Sequence, residues 1–166
     1  TIYTDTPGVD WTIYFINKGD KDTPILEQVK ALDVSIATGI GTIPVLHRLR
    51  GSSCSVTDWL PFSEPVQGKH IDFAPIGGKS SQETCPFFNL EYGNEGVITA
   101  IGWSGQWHAE VEHTQDGSLR IQAGIQNMHL SLHSGETIRS PRIMQLYWSD
   151  NDLNRSYNLF RQTMLS

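Results

Sequence analysis

Hydrophobic and polar residues alternate along much of this chain with the period of two that marks half-buried β-strands. From Trp107 to His113, Trp107, Ala109 and Val111 alternate with His108, Glu110 and Glu112, which gives one dry face and one wet face. Leu119, Ile121 and Ala123 alternate in the same way with Arg120 and Gln122. Asp116-Gly117 between them is the strongest short hairpin signal in the sequence. Val97 to Trp103 is a β-rich apolar run, broken at Ser104-Gly105-Gln106. These segments predict a three-strand antiparallel meander within 96–124, whose apolar face needs a second layer.

The flanking chain predicts that layer. Thr1–Thr4 and Val9–Asn17 read as strands, rich in β-branched and aromatic residues. Over 25–38, LEQVKAL has helical propensity, but Leu32, Val34 and Ile36 alternate with Asp33 and Ser35, and a long extended segment is predicted. Val45–Leu49, Phe87–Tyr92, Asn127–His133 and Ile143–Trp148 read as further strands. Gly51–Asp58 is a polar loop. The proline-bearing stretch 61–78 is predicted irregular, with a short strand near His70–Phe73 at best. After the Asp150-Asn151-Asp152 cap cluster, Leu153, Tyr157, Phe160 and Met164 recur at helical spacing and predict one closing amphipathic helix.

Composition narrows the function class. At 166 residues the chain is large enough for one domain with a real core. A net charge of −6 argues against nucleic acid or an anionic membrane as the main partner. No apolar run approaches the ~20 residues of a membrane-spanning helix. No signal peptide is read, and a start at Thr1, already inside a strand, predicts a fragment of a longer chain whose cellular address is not visible. Cys54 and Cys85 permit a bridge without indicating one, and nothing in their spacing suggests zinc or another cofactor.

Candidate chemistry is sparse. Glu110 and Glu112 share a strand face at ~6.6 Å, a separation seen in glycosidase carboxylate pairs. Two neighbours on one strand approach a substrate from the same side, however, and a solvated face is the reading taken for them and for His108. His129 and His133 are ~13 Å apart on an extended strand, too far to share a metal. Gly77-Gly78-Lys79-Ser80-Ser81 lacks the spacing and the following helix of a phosphate loop, and Gly102-Trp103-Ser104-Gly105 lacks that of a nucleophile elbow. Trp103 and Trp107 read as core, or as one core residue and one groove residue. Trp59 beside Asp58 suits a hydroxyl-rich ligand, but burial as a loop anchor is the reading taken from the residues alone.

The segments WTIYFIN (11–17), DTPILEQVKALD (22–33), LHRLRGSSCS (46–55), PFFNLEY (86–92), GWSGQW (102–107) and LHSGETIRSPRI (132–143) occur in an order that resembles the N-terminal β-sandwich domain of the family 36 α-galactosidases and related glycoside hydrolases. NRSYNLFRQTML (154–165) resembles that family's connector into a catalytic (β/α)8 barrel. The resemblance implies an all-β fold: an antiparallel β super-sandwich, galactose-mutarotase-like, with a C-terminal α-helix. It implies that residues 1–150 are part of the sandwich and 151–166 the connector, and that the catalytic aspartates lie in a barrel outside this chain. No catalytic residue, metal or cofactor is therefore assigned here. The implied partners are that barrel, carbohydrate and further copies in a homo-oligomer.

In some relatives the loop after the LHRLRG-like strand brings a Trp to a neighbouring subunit's active site. Asp58 and Trp59 are the corresponding substrate-binding candidates, although GSSCSVTDW differs from that loop. Three readings follow: a non-catalytic sandwich of an α-galactosidase-like hydrolase, a self-standing carbohydrate-binding module, or a structural interaction domain docking through 59–78.

Overall fold

The computed structural model describes residues 1–165. The described residues form fourteen strands and one helix, and ten of the strands fall into two stacked antiparallel sheets.

The larger sheet takes β1 (Gly8–Trp11), β5 (Val45–Arg50), β6 (Pro61–Pro65), β8 (Thr84–Tyr92), β9 (Glu95–Gly102) and β14 (Arg142–Trp148), in the order β1-β14-β9-β8-β5-β6. The smaller sheet takes β4 (Lys30–Ala37), β7 (His70–Phe73), β10 (Trp107–His113) and β11 (Ser118–Ile125), in the order β4-β11-β10-β7. Two short ribbons extend the sandwich: β2 (Tyr14–Ile16) with β13 (Thr137–Arg139), and β3 (Leu26–Glu27) with β12 (His129–Leu130). The helix, α1 (Leu153–Leu165), closes the chain.

Alternation decides where each side chain goes. Leu32, Trp107, Ala109, Val111, Leu119 and Ile121 from the smaller sheet meet Leu46, Phe88, Leu90, Val97, Ile101 and Ile143 from the larger one in a single core. Phe73 joins the layers, its ring edge-on to Phe88 at 5.2 Å and to Trp107 at 6.0 Å. Around β9 and β14 the larger sheet is apolar on its outer face as well. There Ile98, Met144, Leu146 and Trp148 pack against Leu153, Leu159 and Phe160 of α1.

The predicted meander is not one. β10 and β11 pair from Trp107↔Ile125 to His113↔Leu119, as their alternation requires. β9 pairs instead with β8 and β14 in the other sheet, and Trp103–Gln106 carries the chain across. The reason lies in the side chains. β9 is apolar on both faces, Val97 and Ile101 inward and Ile98 outward, so it needs a central place in a sheet covered on both sides. β10 has a wet face and needs only one cover.

Other boundaries shift for local reasons. Thr1–Thr4 makes only the bridge Ile2↔Val9. The expected strand 9–17 divides into β1 and β2, and Ile13 N donates to Ser140 Oγ at 3.0 Å at the break. Residues 25–38 are extended throughout the paired regions, split at Gln28 (φ 54°). Pro61–Pro65 is a strand after all: it lies at the sheet edge, where a missing N–H is tolerated. Only His129–Leu130 of the expected strand 127–133 pairs. In α1, Asp152 Oδ1 accepts from Arg155 N at 2.9 Å as the cap, but Tyr157 and Met164 of the expected stripe are exposed, and Ser156 and Thr163 are buried.

Candidate functional site

Asp58 and Trp59 lie in the loop between β5 and β6. Asp58 organises it. Its Oδ1 accepts from Ser53 N (2.9 Å) and Ser53 Oγ (3.1 Å), its Oδ2 from Cys54 N (3.0 Å) and Ser52 Oγ (3.1 Å). These donors, the Ser53 amide foremost, hold the carboxyl below its ordinary pKa and fix it as an anion. Cys54 (φ 65°) and Trp59 (φ 64°) both take left-handed backbone, which turns the loop tightly around the carboxylate. The indole that follows is not a buried anchor: Trp59 is 54% exposed, beside Val56 at 98% and Leu60 at 49%. A loop held from within by a carboxylate thus carries three apolar side chains outward.

The outer face of the smaller sheet holds the polar residues. Glu110 accepts from Lys30, with His108 Nδ1 at 3.4 Å and His70 Nε2 at 3.6 Å. The Lys30 hydrogen bond lowers its pKa, ahead of the opposing cost of burial, so Glu110 stays ionised and does not serve as a proton donor near neutral pH. His108 Nε2 lies 2.8 Å from Asp72 Oδ2. Glu112 sits in register with Arg120 on one side and His70 on the other. Among the described residues of this face, nothing pairs a raised acid with a free carboxylate across a gap a sugar bond could enter.

The remaining candidates resolve in the same way. Trp107 is fully buried and donates from Nε1 to Ser80 O at 2.8 Å, while Trp103 is half-buried under the Arg139 guanidinium, 5.2 Å from its ring. His129 and His133 each face a carboxylate of their own, Glu27 at 3.1 Å and Asp22 at 2.9 Å. Cys54 is exposed, Cys85 buried, and both thiols are free. Among the described residues, no group of three or more His, Cys, Asp or Glu is placed to hold a metal ion.

Sequence reading missed one constellation. On the outer face of the larger sheet, Ser63 Oγ lies 2.7 Å from His47 Nδ1, and His47 Nε2 lies 2.8 Å from Glu91 Oε2. The row follows from register, since His47 pairs with Ser63 and Val45 with Glu91. The residues are 16 and 44 positions apart, so no linear motif marks them. The hydroxyl stands on a flat edge strand, without the strand-to-helix turn that aims backbone amides at a reacting carbonyl. We read it as a cross-strand polar row.

No family model matches the chain. It is similar to the α-galactosidase Mel36A of Lactobacillus acidophilus, 26% identical over 96% of this chain and 22% of that protein. Its fold matches the α-galactosidase of Lactobacillus brevis with a TM-score of 0.78, at 17% identity over 98% of this chain and 22% of that one. It also matches the family 36 α-galactosidase AgaA of Geobacillus stearothermophilus with a TM-score of 0.74, at 22% identity over 89% and 21%. The chain spans about a fifth of the length of the relatives it matches. In sequence and in fold, what this chain resembles is the N-terminal β-sandwich domain of the family 36 α-galactosidases.

Proposed function

We propose that the chain is the non-catalytic β-sandwich portion of an α-galactosidase-like glycoside hydrolase acting on α-galactosides. In this reading α1 leads into a catalytic barrel in the same polypeptide, and the sandwich supports that barrel and a homo-oligomer. The observation that carries the proposal is the match itself: nearly all of this chain corresponds to one fifth of an α-galactosidase. The locked ion pair at Glu110 supports the non-catalytic part.

Within this reading Asp58 and Trp59 form a sugar-facing loop. Trp59 offers its indole to a sugar ring of a neighbouring subunit's pocket, and Asp58 holds the turn that presents it. An exposed aromatic on a loop tied from within is what such a role requires.

The test is turnover of an aryl α-galactoside. The 166-residue chain is expected to release no product. Turnover by this chain, lost in Glu110→Gln or Glu112→Gln, would overturn the non-catalytic reading. In the assembled enzyme, Trp59→Ala is expected to raise KM several-fold and leave the melting temperature of the sandwich within about 1 °C, because an exposed side chain adds little to stability. An unchanged KM removes Trp59 from the sugar site.

A further inference from the structure

Three irregularities of the smaller sheet meet at one place. Gly124 sits at the bulge where β11 slips against β4, and a Cβ there would lie 2.4 Å from the Val29 carbonyl oxygen. Gln28 (φ 54°), between β3 and β4, and Asn127 (φ 55°), between β11 and β12, both hold left-handed backbone. That conformation is uncommon for a residue with a Cβ, and glutamine lacks asparagine's tolerance of it. Around them the sheet opens into a concavity of about 550 Å³, a size that accommodates a small ligand.

The lining defines the ligand. Val29, Ile125 and Met128 give it apolar patches. Its basic side chains all have acidic neighbours: Lys30 has Glu110, His108 has Asp72 at 2.8 Å, and His129 has Glu27 at 3.1 Å. What remains unpaired is uncharged. The carboxamides of Gln28 and Asn127 make no hydrogen bond among the described residues, and Gln126 uses only Oε1, which accepts from Gln106. A carboxamide both donates and accepts, as adjacent hydroxyl groups require. A site with matched charges gives an ionic ligand no counter-ion, and apolar patches suit the C–H faces of a ring.

We propose that this concavity binds a neutral polyhydroxylated ligand, a monosaccharide or the end of a short oligosaccharide, through the Gln28, Gln126 and Asn127 carboxamides. The inference stands apart from the Trp59 loop and from any catalytic centre.

The test is a titration of the ¹⁵N-labelled chain, followed by NMR, with D-galactose, raffinose and, as the charged probe, D-galacturonate. Saturable shifts confined to 26–30 and 124–129 are expected with the two neutral sugars. Gln28→Gly and Asn127→Gly remove the carboxamides while suiting the left-handed backbone, so each variant keeps or raises the melting temperature. Together they are expected to weaken sugar binding about tenfold or more. The proposal is overturned by an absence of saturable shifts, by binding indifferent to the double variant, or by galacturonate binding tenfold more tightly than galactose. Shifts confined to the Trp59 loop overturn it too, while supporting the loop's own role. Aryl galactoside turnover by the chain refutes the non-catalytic reading and leaves this site standing.

Discussion

Asp10 shows how much one buried polar residue carries. It is nearly inaccessible, and its Oδ2 accepts from both Tyr3 Oη and Arg142, each at 2.6 Å. The Arg142 bond, ahead of the opposing cost of burial, holds its pKa below the ordinary 3.8, with Tyr3 adding in the same direction. A carboxyl that titrates lower in the folded than in the unfolded state adds stability above the unfolded value. That stability is lost as pH falls from 3.8 through the folded value. Asp10→Asn is therefore expected to cost about 2 kcal/mol at pH 7, the scale of hydrogen bonds to a charge, with Arg142 partly in solvent. The gap between variant and parent should close below pH 3.8. Urea melts at pH 7 and pH 3 measure both, and a gap that widens in acid contradicts the assignment. Sequence offered no hint of this pair. Asp10 and Arg142 are 132 residues apart, and an aspartate within a strand reads simply as a break in the hydrophobic pattern.

At the scale of elements, alternation located most strands, and their sheet membership was what it missed. Trp107–His113 was visible as an extended segment because period two is written in its side chains, and Val97–Trp103 because it is a β-rich apolar run. That they lie in opposite sheets depends on which neighbours cover the second face of β9, a fact held by α1 and β14 some 40 residues later. Nor does apolar spacing alone describe the seating of α1. Its inner face includes Ser156 and Thr163, because polar groups join it to the sheet. Trp148 Nε1 donates to Asn89 Oδ1 at 2.8 Å, and Asn89 Nδ2 donates to Ser156 Oγ at 3.0 Å. Asn89→Ala leaves the indole N–H buried without its acceptor and is expected to cost about 1–3 kcal/mol. Asp152→Ala, which removes the cap at the exposed end of the same helix, should cost about 1 kcal/mol. Chemical denaturation ranks the two, and a cap that matters more than the buried asparagine would mean the helix is held by its own ends.

For the whole molecule, the arrangement is three layers rather than two: smaller sheet, larger sheet, helix. Around β9 and β14 the larger sheet is apolar on both faces, so that part of it needs a cover on each. One cover is the smaller sheet, whose wet outer face carries Glu110, Glu112 and Arg120. The other is α1, which seats Leu153, Leu159 and Phe160 over Ile98, Met144, Leu146 and Trp148. A resemblance in sequence pointed to the sandwich and to a closing helix, but gave the helix only the role of a connector. Burial gives it a structural one. Each large apolar side chain returned to water costs about 1.5–3 kcal/mol, and four lie beneath the helix. Ending the chain at Ser149 should therefore remove several kcal/mol, a large share of the total stability of a domain this size. It should also leave an apolar sheet face that binds a hydrophobic dye and self-associates. Lengthening the chain past α1 should do neither. Light scattering and dye fluorescence on the shortened chain read the outcome. A monomeric, dye-silent protein with an unshifted melting temperature would show that the outer face of the larger sheet needs no cover, and that α1 is a tether and nothing more.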